Sequence, residues 1–140
     1  MFAKTNRIFL RYVLWADAIS CLACGILQVA LTAVLSLHLG LSHALLMGTG
    51  VFLLLCGAVV GFLASRARLA NVIVRLLILG NLAWGVLAVG VLLEGDTQIT
   101  LLGKSYVVAQ VLTVLVLAQL QYSCLRLNRA ERLASARQET

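Results

Sequence analysis

ALLMGTGVFLLLCGAVVGFLAS, residues 44–65, contains no charged side chain. A helix needs roughly 20 such residues to cross a hydrocarbon core about 30 Å thick. Three further stretches read the same way: residues 12–37 carry a single charge, Asp17, and residues 76–93 and 105–125 carry none. The 140-residue chain is 62% hydrophobic and only 11% charged, with a mean hydropathy of +1.04. A soluble domain is about 25% charged, so this chain lacks the polar groups needed to cover a globule in water.

Continuous apolar runs argue for helices rather than barrel strands, which alternate in character over about ten residues. A helix also satisfies its own backbone hydrogen bonds, which lipid cannot do for it. The sequence therefore predicts an all-α, integral membrane four-helix bundle forming a single domain over residues 1–127. The helices are expected over about 10–38, 43–65, 71–93 and 101–127, with a basic tail, 128–140, extending the last helix before fraying. Two connections, His38-Leu39-Gly40-Leu41-Ser42-His43 and one opening with Glu94-Gly95-Asp96-Thr97-Gln98-Ile99-Thr100, are short, which favours antiparallel neighbours in an up-down order. The chain has no proline, so the helices are expected to be continuous. The first apolar run exceeds the roughly 7–15 residues of a signal-peptide core and reads as a retained anchor.

The eleven Lys and Arg decide the orientation. Lys4, Arg7 and Arg11 precede the first span. Arg66, Arg68 and Arg75 surround the central connection, and Arg126, Arg129, Arg132 and Arg137 follow the last span. Lys104 alone falls on the other side. The positive-inside rule then places both termini in the cytoplasm of a bacterial-type inner membrane. The net charge of +6 is read as topology and contact with anionic lipid headgroups. No soluble basic domain exists to bind nucleic acid, so membrane lipids are the expected partners.

Asp17 stands out, because an intramembrane carboxylate costs about 2.5–3.5 kcal/mol on insertion scales and therefore faces a bundle interior or a cavity. One reading makes it a proton or cation site; the other pairs it structurally with Arg75 or Arg11, or hydrogen-bonds it to Gln119. Asp17, Cys21, Cys24 and Gln28 follow spacings of four, three and four, one narrow helix face. Helix three offers Asn81, Gly85 and Ala88 with Trp84 beside them. Helix four offers Gln110, Thr113 and Gln121, with Gln119 and Tyr122 toward its end. These residues form either the walls of a polar cavity or interhelical hydrogen-bond glue, worth about 0.6 kcal/mol per contact on average. Gly57 and Gly61 make a GxxxG motif, which lets backbones approach closely within the chain or between two copies. Tyr12, Trp15 and Tyr106 are read as interfacial rings.

Catalytic signatures are missing. Cys21-Leu22-Ala23-Cys24 is a CxxC, but thiol chemistry needs an accessible thiolate, and this pair sits near mid-membrane beside a carboxylate. His38 and His43 bracket a turn with no third ligand in evident spacing. No zinc pattern, phosphate loop or nucleophile elbow is present, and neither a cofactor nor a metal is expected.

Ala16-Asp17-Ala18 with Gly25, Asn81-Leu82-Ala83-Trp84, and Ala109-Gln110 with Leu120-Gln121-Tyr122 together resemble a family of small bacterial four-span integral membrane proteins of uncharacterised function. The resemblance covers nearly the whole chain through short motifs, and implies that Asp17, Asn81, Trp84, Gln110 and Gln121 act together. It implies no activity, and the cysteine pair lies outside its pattern. The expectation is a non-enzymatic inner-membrane protein, an oligomeric or accessory subunit with a polar interior. The alternatives are a proton- or cation-coupled small-molecule transporter titrating at Asp17, and a thiol oxidoreductase using Cys21 and Cys24.

Overall fold

A computed structural model describes residues 2–66, 70–93 and 99–138; side chains are described for all of these except 2–7, 128, 131–133 and 135–138. Arg68 and the acidic segment 94–98 lie outside the described residues, as do the side chains of Lys4, Arg7, Arg132 and Arg137. The described chain is helical: α1 (Phe2–Ala30), α2 (Thr32–Leu39), α3 (His43–Ser65), α4 (Asn71–Leu93) and α5 (Leu101–Gln138). Four segments are long and apolar enough to cross a membrane: Ile8–Ala30, His43–Ser65, Asn71–Leu93 and Leu101–Leu127. The 23 residues of α3 rise about 34 Å at 1.5 Å per residue, enough for the hydrocarbon core. Leu37, Leu93 and Leu101 are 78%, 78% and 81% exposed, a surface that fits lipid and not water.

One boundary differs from expectation. The first helix is interrupted at Leu31 (φ −114°, ψ 24°), where one run over 10–38 was expected. Just beyond the break, the Thr32 hydroxyl donates back to the carbonyls of Gln28 and Val29, the local competition by which a β-hydroxyl bends a helix. At the other end, helical backbone continues through the tail to Gln138. Arg, Leu, Ala, Glu and Gln dominate there, all good helix formers, and nothing after Gly103 is Gly or Pro.

The turn after α2 is built by three residues. Gly40 takes a left-handed conformation (φ 67°, ψ 22°) that only glycine adopts without strain, and its N–H closes onto the Ser36 carbonyl. Ser42 caps α3 by accepting from the Leu45 N–H at 3.2 Å. Thr100 then ties the start of α5 to the end of α2. Its N–H donates to the Leu39 carbonyl at 3.0 Å and its hydroxyl to the His38 carbonyl at 2.7 Å. These are carbonyls that a helix end leaves without an internal partner.

Contacts between elements are unequal. α1 packs along α3, α4 along α5, and α1 less extensively against α5; among the described residues, α3 and α4 make no close backbone approach, nor do α1 and α4. A stack of Phe52 on Trp84, 5.3 Å between ring centroids, bridges α3 and α4 instead. The α1–α3 seam is tight because small residues line it. A methyl group built on Gly50 would lie 2.9 Å from Gln28 Cβ, and one on Gly57 would lie 2.8 Å from Leu22 Cγ and 3.1 Å from the Ala18 carbonyl oxygen. Gly61, the second glycine of the GxxxG motif, has 3.7 Å of room. The close approach therefore follows Gly50 and Gly57, seven residues apart, and lies within one chain. Buried apolar side chains gather in two clusters: Leu10, Leu14, Ala18, Val60, Ala64, Val74, Ile78, Ala118 and Cys124 in one, Leu39, Leu41, Leu46, Ile99 and Val107 in the other.

Gly57→Ala is expected to destabilise the protein by about 1–3 kcal/mol through overpacking of the α1–α3 seam. Gly80→Ala, where an added methyl meets nothing within 4 Å, is expected to leave stability unchanged or slightly raised. Reversible unfolding in mixed micelles compares the two; equal effects would contradict the packing assignment.

Candidate functional site

Asp17 is 2% exposed, and its carboxylate is held by amides from two other helices. Oδ2 accepts from Gln121 Nε2 of α5 at 2.8 Å and from Asn81 Nδ2 of α4 at 3.1 Å. Asn81 Nδ2 also lies 3.5 Å from Gln121 Oε1, closing a triangle. The other oxygen, Oδ1, receives only the Cys21 thiol, 3.7 Å away, a weak donor. Arg11 and Arg75, two expected partners, are exposed and make no contact with it.

Gln119, the third expected partner, is also exposed. The reason is helical geometry. Positions 107, 114, 118 and 121 on α5 are all buried and follow a three-four-seven spacing on one face. Gln119 lies two residues from Gln121, about 200° around the helix at 100° per residue. It borders an outer groove between α4 and α5 together with Tyr122.

A second polar cluster forms farther along the same face of α1. Gln28, 2% exposed, donates from Nε2 to the Tyr106 hydroxyl of α5 at 2.8 Å. The Thr49 hydroxyl of α3 lies 2.9 Å from Gln28 Oε1 and 2.7 Å from the Leu45 carbonyl. Gln110 Nε2 reaches Tyr106 Oη at 2.8 Å. Tyr106, expected as an interfacial ring, is the hub of this cluster, and Thr49 is a member the sequence did not single out. The spacing of Tyr106 and Gln110, one turn apart on α5, carried the first signal; nothing in the glycine-flanked Thr49 carried the second.

Between the two clusters lies a cleft of about 160 Å³, lined by Asp17, Ser20, Cys21 and Cys24 of α1, Leu53 of α3, Trp84 of α4, and α5 from Tyr106 to Leu117. It reaches the outer surface at Ala109 and Thr113, which are exposed. Cys21 and Cys24 are unbridged thiols on its wall, and no group of three His, Cys, Asp or Glu suited to a metal occurs among the described residues. The arrangement joins helices and leaves one acid at the edge of a space, with the Cys21 thiol beside its Oδ1. His38 and His43 are exposed. No protein-family model, curated protein or solved structure matches this chain.

Gln121→Leu and Tyr106→Phe are each expected to lower stability by about 0.6–2 kcal/mol, the range for interhelical hydrogen bonds in membranes. Gln119→Leu is expected to be neutral. Thermal unfolding in detergent separates the three, and a Gln119 effect as large as that of Gln121 would refute the assignment of faces.

Proposed function

We propose that this protein is a small non-enzymatic component of a bacterial-type inner membrane, an up-down four-helix bundle acting as a self-associating or accessory subunit. The observation that carries the reading is the closed Asp17–Asn81–Gln121 triangle. Its amides are committed to the carboxylate and to each other, as expected of side chains that fasten helices. No buried side-chain polar atom among the described residues lacks a hydrogen-bond partner.

Charge supports the orientation. Every Lys and Arg except Lys104 flanks the termini or the connection between α3 and α4, which favours a cytoplasmic location for both ends. Arg66, over the ring of Phe62 at 4.4 Å, suits the membrane–water boundary, where a cation can stay hydrated while resting on an aromatic face. The likeness to small bacterial four-span proteins points to the same membrane. Self-association draws on the side shared by α3 and α4, where the described residues make no close backbone approach and Phe52 stacks on Trp84. A helix from a second copy or another subunit would gain contacts there that the chain does not make with itself.

Native mass spectrometry of the protein in lipid nanodiscs is expected to give a fixed oligomer or a stoichiometric foreign chain. Asp17→Leu, which leaves two amides without their acceptor, is expected to weaken that assembly more than Asp17→Asn, whose carbonyl still accepts. A monomer, or equal wild-type assembly of both variants, would remove the subunit reading.

A further inference from the structure

The two oxygens of Asp17 are not equivalent. Oδ2 has two amide donors, whereas Oδ1 has one thiol at 3.7 Å, so a carboxylate oxygen able to accept two strong hydrogen bonds is left with a weak one. Asp17 lines the cleft, and no described cation contacts it. Other acceptors on the same wall are also open: within the described residues, Ser20 makes no side-chain hydrogen bond and Gln110 Oε1 accepts none. Trp84 adds an indole ring, whose π-system attracts positive charge. Leu53, Val114 and Leu117 add apolar wall, beside Tyr106 and Thr113.

We propose that this cleft binds a small amphiphilic amine, its ammonium group against Asp17 Oδ1 and its apolar part along Leu53, Val114 and Trp84. Charge selects the head group. An acid in a low-dielectric site is stabilised by a hydrogen-bonded cation far more than by a neutral donor, and no described side chain supplies such a cation here. Volume selects the size, since a cavity of about 150 Å³ accepts a molecule such as benzene and this cleft is about 160 Å³. The opening selects the route. Ala109 and Thr113 lie within the apolar span of α5, so the ligand enters from the bilayer, where an amphiphile concentrates. The inference rests on the cleft and not on the subunit reading, and it concerns binding alone.

Benzylamine and benzyl alcohol test it, because they match in shape and differ in charge at neutral pH. Saturation binding of radiolabelled benzylamine to the protein in nanodiscs, corrected for empty discs, is expected to reach one site per chain. Benzyl alcohol is expected to compete at least about tenfold more weakly, the least that a hydrogen bond to a charged group should confer. Asp17→Asn retains a carbonyl for the two amides and replaces one carboxylate oxygen with an amide nitrogen, so it should lose at least about tenfold in benzylamine affinity. Gln119→Leu, outside the cleft, should keep wild-type affinity. In the Trp15→Phe background Trp84 is the one remaining tryptophan of two, and its fluorescence is expected to follow benzylamine occupancy. Absence of saturable binding above empty discs, equal competition by the alcohol, or unchanged affinity of Asp17→Asn would each overturn the proposal. The comparison of amine with alcohol uses the unaltered protein, so it decides the matter even if a variant fails to fold.

Discussion

A hydrocarbon core offers a polar side chain no partner, so each one placed there must find its hydrogen bonds within the protein. The bond from Asn81 and Gln121 to Asp17 Oδ2 meets that requirement and organises the bundle in doing so. α1 and α4 have no close backbone approach, yet the Asp17 carboxylate reaches both α4 and α5. Apolar packing alone would let a lipid-facing helix rotate or slide at little cost, because lipid tails are as apolar as leucine. An acid that has two amide donors in one register and none in others fixes that register. Gln28 plays the corresponding part farther along α1, joining α3 through Thr49 and α5 through Tyr106.

The placement of these ties explains the distribution of the apolar core. One buried cluster, around Leu14, Ala64 and Val74, contains residues of all four spans. The other, around Leu39, Leu46 and Ile99, joins α2, α3 and the start of α5. The polar clusters lie along α1 between Leu14 and Leu39, so each has apolar packing beyond it. Glycines tighten the α1–α3 seam, where dispersion between backbones takes over from the hydrophobic effect that is absent in lipid. The α3–α4 side has no such backbone approach among the described residues; Phe52 stacks on Trp84 there, and Val60 and Ala64 share a buried cluster with Val74 and Ile78.

Much of this was legible in the sequence, for identifiable reasons. Uncharged runs long enough to span a membrane need no tertiary information, so the four apolar helices were readable directly. The face carrying Asp17, Cys21, Cys24 and Gln28 was also readable, because spacings of four and three persist in any regular helix. What failed depended on rotation or on a partner. Gln119 and Gln121 differ by two positions, and only the buried row through 114 and 118 shows which one turns inward. Tyr106 sits near a helix start, where a ring commonly marks the interface, but Gln28 and Gln110 both direct amides at its hydroxyl. Thr32 showed no sign of its bend, since a threonine that donates to its own helix and one that does not look alike in sequence.

The same geometry lets a structural role and the proposed ligand-binding role of Asp17 coexist. If both oxygens were fully hydrogen-bonded by the protein, the carboxylate would be a fastener and nothing more. If neither were, the helices would have no fixed register around it. Here the division falls between the two atoms: Oδ2 holds α4 and α5, while Oδ1 faces one weak thiol donor. Occupation of the cleft by a cation would therefore leave the helix ties in place and add a bond where the protein makes almost none. Because a hydrogen bond between opposite charges is stronger in low dielectric than in water, such a ligand would also offset part of the cost of burying the acid. Ligand binding and bundle stability are then coupled through a single side chain, and anything that fills the cleft should stabilise the protein in proportion to its affinity and free concentration.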